Sequence, residues 1–319
     1  MRLLLLLLLA VAFPQYALSQ AYPSKPIRIV VPFPPGGGTD VGTRVIAQKL
    51  QEALGQSVLV ENKGGAAGIL GTEYTAKAAP DGYTIMMGNI GTHAINVSLY
   101  KKLSYDPVKD FAPISQVAGL PMLLLVHPSV KANSVAELIA LAKANPGKLN
   151  YSSSGAGGMP HVSGALFASM TGIDIIHIPY KGGGPAVADL IAGHVSMSFA
   201  TALESLPQVK GGKLRALAVS SAKRSIAAPE LPTIAESGVP GYESGSWLAL
   251  YAPAGTPKEI VAKLSAEAVR IVNLPDVRER LLLQGAEPIG STPEQLAATQ
   301  AADTVKYAKV IRDSGFTPE

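Results

Sequence analysis

The feature that most constrains this chain is its regular alternation of short apolar runs with longer amphipathic stretches. Residues 27–31 (Ile27-Arg28-Ile29-Val30-Val31) read as a buried strand, 41–54 as a helix stopped by Gly55, and 57–61 as a second strand. Residues 72–79 read as a helix ended by Pro80, with Asp81-Gly82 turning into a strand at 83–87. Further strands are predicted at 122–126, 148–152, 173–179, 195–199, 214–220 and 247–252, and helices at 134–144, 160–170, 185–192 and 257–272. Strands separated by helices imply crossover connections and parallel α/β sheets. About nine strands fit two sheets better than one, and 319 residues suit about two domains of roughly 150 residues. With 47% hydrophobic and 16% charged residues, the chain can fill real cores, which excludes disorder. No short-period repeat or low-complexity linker divides it, so two lobes are expected to be joined by extended crossing segments.

The N-terminus addresses location rather than fold. Arg2 precedes an apolar run from Leu3 to Phe13 that Pro14 and Gln15 interrupt. A membrane span needs about 20 apolar residues, so this run reads as a secretory leader cleaved after Ser19 or Ala21. The expectation is an exported, periplasmic protein whose fold begins after residue 21. The 27 basic and 23 acidic residues are scattered, with no basic stripe interleaved with aromatics, so no nucleic-acid partner is expected. The chain has no Cys, which excludes disulfides, thiol catalysis and thiolate metal sites.

Three loops share one construction. Pro32-Phe33-Pro34-Pro35-Gly36-Gly37-Gly38-Thr39-Asp40 follows the first strand and opens a helix. Ser152-Ser153-Ser154-Gly155-Ala156-Gly157-Gly158-Met159-Pro160 and Tyr180-Lys181-Gly182-Gly183-Gly184-Pro185 repeat the arrangement. Each presents backbone N–H groups at a helix N-terminus, with no Cβ to hold a ligand off, a design suited to anions. Gly-rich βα turns are also ordinary in α/β folds, and three in one chain are what shift the balance toward a ligand site.

Nucleotide motifs are absent: there is no GxxxxGK[ST], and Gly36-Gly37-Gly38 lacks the third Gly of GxGxxG. There is also no GxSxG elbow, HExxH pair or Ca²⁺ loop, so no catalytic function, cofactor or metal is expected. His161 in the first turn after a Gly-rich loop reads equally as a ligand contact, a loop brace or a packing residue. His177 reads as a sheet residue, and Lys181 as a solvated cation or an anion contact. Asp40 reads as a helix N-cap, and Glu204 as facing solvent on the turn before Pro207.

Several blocks together resemble a known family. PFPPGGGTD, LGQSVLVENKGGAAGILG, AAPDGYTI, LSYDPVKDFAPIS, PYKGGGPAVADL, KLRALAVSS, LPTIAESGVPGYES and SWLALYAPAGTP are similar to the Bug-type solute-binding receptors of tripartite tricarboxylate transporters. The resemblance covers nearly the whole chain beyond the leader. It implies a two-lobed type II periplasmic binding fold, α/β with two parallel or mixed sheets flanked by helices, closing on a small carboxylate. It also implies lobes of residues 22–120 plus 246–319 and 121–245, crossing near 119–122 and 244–247. The family's binding loops map onto Gly36, Gly37, Gly38 and Thr39, then Ser153, Gly155, Gly157 and Gly158, then Tyr180, Lys181 and Gly182. Asn89, Gly91 and Thr92 are expected to face the same cleft.

Many relatives read Phe-Asp-Asn where this chain has Phe199-Ala200-Thr201, which removes a carboxylate at Ala200 and argues against amino-acid ligands. The expected partners are a small carboxylate and the permease subunits of a tripartite transporter, with a membrane sensor as the alternative and a monomer as the working form. A secreted hydrolase using Ser153 or Ser154 with His161 is a third, poorer reading, because no oriented acid–base pair is evident.

Overall fold

A computed structural model describes residues 22–313, so the leader lies outside the described residues. Two mixed sheets form the frame. The first holds six strands in the order β11-β4-β10-β3-β1-β2: β1 (Ile27–Val31), β2 (Val58–Asn62), β3 (Thr84–Asn89), β4 (Phe111–Leu120), β10 (Ser246–Pro253) and β11 (Glu287–Pro288). The second holds five in the order β7-β6-β8-β5-β9: β5 (Met122–Val126), β6 (Asn150–Ser153), β7 (Ile176–Pro179), β8 (Met197–Thr201) and β9 (Arg215–Val219). In each sheet the crossover-connected strands run parallel, as β1 does with β2 and β3, and β6 with β7 and β8. The strands that enter from the other sheet run antiparallel: β10 against β3 and β4, and β5 against β8 and β9. Both sheets are thus mixed, one of the two forms expected, because a chain returning from the opposite sheet arrives without a crossover helix.

Helices cover the sheets. Around the first lie α1 (Gly38–Leu54), α2 (Ile69–Ala76), α3 (Asn96–Leu99), α8 (Lys258–Val272), α9 (Pro275–Leu283) and α10 (Pro293–Asp313). Around the second lie α4 (Val135–Ala144), α5 (Met159–Thr171), α6 (Gly183–Ile191) and α7 (Ala202–Lys210). Strand β5 is buried on both faces, which its uninterrupted Met-Leu-Leu-Leu-Val sequence requires. Strand β4 carries no such signal. Its Ser115 and Gln116 are buried polar positions, satisfied when the Ser115 hydroxyl donates to the Ser291 carbonyl (2.7 Å) and the Gln116 amide donates to the Ser291 hydroxyl (2.9 Å).

The chain leaves the first sheet at Leu120 and enters the second at Met122 with only Pro121 between, and it returns between Val219 and Ser246. Buried Ser220 ties the two crossings together. Its hydroxyl accepts the Met122 amide (3.2 Å) and donates to the Ser244 carbonyl (2.7 Å). Satisfied polar groups here hold both crossings side by side.

Helix α5 packs on the second sheet through Gly164. A Cβ built there would lie 2.2 Å from the Tyr151 ring, and that ring is buried. Gly164→Ala is expected to cost about 1–3 kcal/mol through overpacking. A urea melt should show a lower midpoint with an unchanged slope, and an unchanged midpoint would contradict this packing.

Candidate functional site

The loop after β1 turns at Gly36, whose φ of +86° lies in the left-handed region. Asp40 then fixes the loop from within the helix. Gly37, rather than Asp40, occupies the N-cap, and the Asp40 carboxylate reaches back to accept the Gly36 amide at 3.0 Å. Arg44 grips the same carboxylate through two nitrogens (2.9 and 3.1 Å), and Asn62 donates a further bond at 3.0 Å. Burial works to raise the Asp40 pKa, but the bonds from Arg44, Gly36 and Asn62 outweigh it and hold the carboxyl below its ordinary value. At the end of β3, the Asn89 amide donates to the Thr39 hydroxyl at 3.2 Å. Thr92 holds Asn89 in place, since each residue's amide donates to the other's side chain.

In the second sheet, the loop between β6 and α5 is braced by two histidines. The Ser153 hydroxyl meets Nε2 of His177 at 2.6 Å and also accepts the Gly155 amide at 3.2 Å. Nδ1 of His161 accepts the Gly157 amide at 3.0 Å, and the His161 and His177 rings stack with centroids 3.6 Å apart. Burial lowers the His161 pKa to about 3, helped by its neighbour His177, and burial lowers that of His177 to about 4. Both rings are therefore neutral at physiological pH, and His161 serves as a loop brace. Ser153 thus faces His177.

Four helix N-termini converge between the sheets: α1 at Gly38, α5 at Met159, α6 at Gly183 and α7 at Ala202. The cleft they enclose measures about 620 Å³ including its open mouth. Of the predicted residues, Gly37, Gly38, Thr39, Asn89, Gly91, Gly158 and Thr201 line it. Gly36, Thr92, Ser153, Gly155, Gly157 and His161 do not, and most of them engage one another or the lining residues as braces. Gly182, with φ of +125°, tucks beneath Pro34. The Tyr180 hydroxyl donates to Asp189 at 2.7 Å, Lys181 is exposed, and Ala200 is buried in the core beside Leu123 and Leu206. Ser154, Met122, Leu120 and Phe33 complete the lining. Their apolar or small side chains give no signal in a sequence.

The residue that sequence reasoning placed wrongly is Glu204. Residues 202–210 form α7, and Glu204 is the third residue of that helix, turned into the cleft. Its Oε1 accepts the Thr201 amide (3.0 Å), and its Oε2 accepts the Gly38 amide of the opposite lobe (2.9 Å). Thr-x-x-Glu across residues 201–204 is a capping-box pattern, and that signal could have found both the helix and the orientation.

The lobes meet closely at this bond. A Cβ on Gly38 would lie 2.3 Å from the Thr201 hydroxyl and 3.2 Å from Thr201 Cβ, whereas one on Gly37 would meet nothing nearer than 3.5 Å. Gly38 is thus the loop glycine that closure demands, and the backbone of Gly37 (φ −80°) would accept any residue. Gly38→Ala is expected to weaken ligand binding at least tenfold, about 1.4 kcal/mol, while leaving the melting temperature in place. Small-angle scattering should show a larger radius with ligand than the parent shows, and Thr201→Ala in the same chain should restore closure. Parental affinity in Gly38→Ala would remove this contact from the closed state.

Comparison with known proteins accords with this architecture. Protein BugT of Bordetella pertussis is 39% identical over 298 residues, covering 93% of this chain and 91% of BugT. The structure of R. palustris Rpa4515 with adipate superposes with a TM-score of 0.92 at 40% identity, covering 93% of this chain and all of that one. The periplasmic binding protein BugD gives 0.89 at 36% identity (93% and 100% covered). MatC from Rhodopseudomonas palustris with bound malate gives 0.86 at 34% (91% and 100% covered). The sequence profile of the tripartite tricarboxylate transporter family receptor matches residues 43–316, and with two α/β lobes closing on a cleft of helix N-termini this chain belongs to that receptor family.

Proposed function

We propose that this receptor captures a small carboxylate between its lobes and delivers it to the membrane permease of a tripartite transporter. The convergence of the α1, α5, α6 and α7 N-termini on one cleft carries this reading. Helix geometry leaves the first-turn amides without intrahelical acceptors, and each helix end contributes about 0.3–1 kcal/mol toward an anion, more where partly buried. The lining residues include no lysine, arginine or histidine, so the positive potential comes from backbone. The site residues we assign to the ligand are Gly37, Thr39, Asn89, Gly91, Ser154, Gly158 and Thr201. We assign residues 22–120 with 246–319 to one lobe and 121–245 to the other. Export through the N-terminal leader places the protein where such a permease presents its outer face. Among the described residues no helix is long and apolar enough to cross a membrane.

The choice between plain and amino-substituted acids does not follow from Ala200, which is buried away from the cleft, and Glu204 supplies a carboxylate that the Ala200 argument left out. The preference for plain acids rests instead on the adipate and malate held by the two R. palustris relatives. Titrating ligand-stripped protein with succinate, malate, adipate, citrate, benzoate, aspartate and glutamate tests it. A plain mono- or dicarboxylate is expected to bind at least tenfold more tightly than either amino acid, about 1.4 kcal/mol. Tighter binding of aspartate or glutamate than of every plain acid would overturn the preference, and no binding by any of them would overturn the carboxylate reading.

A further inference from the structure

Glu204 is the only ionisable side chain among the described residues that line the cleft. It stands where three helix N-termini meet. Oε1 holds the Thr201 amide at the start of α7, Oε2 holds the Gly38 amide at the start of α1, and a Cβ on Gly183 at the start of α6 would lie 2.2 Å from Oε2. It lines the cleft and is half-buried.

No cation faces it. On α1, the Asp40 carboxylate is turned away to Gly36, Asn62 and Arg44, which neutralise it. On the loop before α6, Lys181 is exposed to solvent, and farther along that helix Asp189 engages Tyr180 and His194. Lys210 at the far end of α7 points to the Leu283 carbonyl. His161 on α5 and His177 on β7 are uncharged at physiological pH. Burial accordingly raises the Glu204 pKa despite opposing hydrogen bonds from Thr201 and Gly38.

An anionic ligand entering this cleft brings a second carboxylate beside the first. Two carboxylates sharing a site without a cation do not both stay ionised, and one of them takes a proton. We propose that Glu204 makes ligand capture proton-linked: the ligand carboxylate seats against Glu204 in its protonated form, with the Glu204 hydroxyl donating to it. The proton comes from solvent as the lobes close and returns to solvent as they open, so charge balances with no further reactant. Such an acid–carboxylate bond is short and strong in a site shielded from water. Glu204 then selects against a ligand ammonium, because in its protonated form it offers no counter-charge. This inference rests on the carboxylate reading above.

The sign of the pH dependence follows from linkage. Affinity is highest below the pKa of Glu204 in the free protein, falls as pH rises toward its pKa in the complex, and levels off above that. Within that window the loss is at most tenfold per pH unit, because one proton is taken up. Calorimetry of the parent protein with adipate and with malate, from about pH 6.5 to 8.5 where the ligands' own carboxyls stay ionised, tests this directly. In phosphate and in Tris, whose ionisation heats differ, the binding heat should differ by an amount that reports up to one proton taken up per ligand. Glu204→Gln, neutral and of the same shape, should bind adipate with a pH-independent affinity and equal heats in both buffers. Binding by the parent with no proton uptake would overturn the inference while leaving the carboxylate reading intact. Unchanged uptake in Glu204→Gln would overturn it too, as would tight aspartate binding that only this variant loses. Failure of every acid in the panel to bind would overturn both readings.

Discussion

A carboxylate of one lobe sits on the helix N-terminus of the other, and much of the molecule is arranged to permit that bond. Glu204 Oε2 accepts the Gly38 amide at 2.9 Å, at the N-terminus of α1. It requires α7 to begin at Thr201, so that the third residue of the helix turns back toward its own cap. It requires α1 to begin with a residue lacking Cβ, since any side chain would strike Thr201. It requires the loop after β1 to hold its course, which Asp40 ensures through Gly36, Arg44 and Asn62. The bond joins residues of the two lobes, so its contribution goes to their association rather than to either lobe alone.

Much of the frame could be read from residues alone, because its signals are local. Strand β5 was evident from an unbroken apolar run and β1 from its Ile and Val, and Pro and Gly punctuated the helices between. Strand β4 was missed because its polar residues are satisfied by Ser291, some 175 positions away, and no local pattern announces such a partner. Helix α7 was missed for the opposite reason. Its capping box is present in the sequence, but the stretch before Pro207 reads as a turn, although Pro207 lies within the helix. The Gly-rich loops overstate their own exposure. The amides of Gly36, Gly155 and Gly157 are already engaged by Asp40, Ser153 and His161, so glycine content revealed where the backbone comes close without saying which N–H groups remain free.

That division of labour explains the two histidines. A loop rich in glycine loses more backbone entropy on ordering than any other, and a binding loop that ordered only on meeting its ligand would subtract that cost from affinity. Neutral imidazoles are well suited to prevent it. Nδ1 of His161 accepts from Gly157 only while the ring is uncharged, and the partial burial of the two stacked rings is what disfavours their charged forms. Charged braces at these positions would have placed positive charge beside the cleft and bound anions with little discrimination.

The same reasoning separates how the cleft attracts its ligand from how it chooses one. Backbone dipoles from four helices attract any small anion, because they read charge and little else. Discrimination must come from groups whose state differs between ligands, and among the lining residues only Glu204 can change its charge. On the proposal above, Glu204 meets a plain acid by becoming neutral, and a ligand ammonium then finds no counter-charge there. The energetic distance between those outcomes is set by how strongly burial disfavours the charged carboxylate. Gly38 of one lobe lies against Glu204 of the other, so the burial that sets this distance draws on both lobes at once, while Ser220 ties the two crossings that join them.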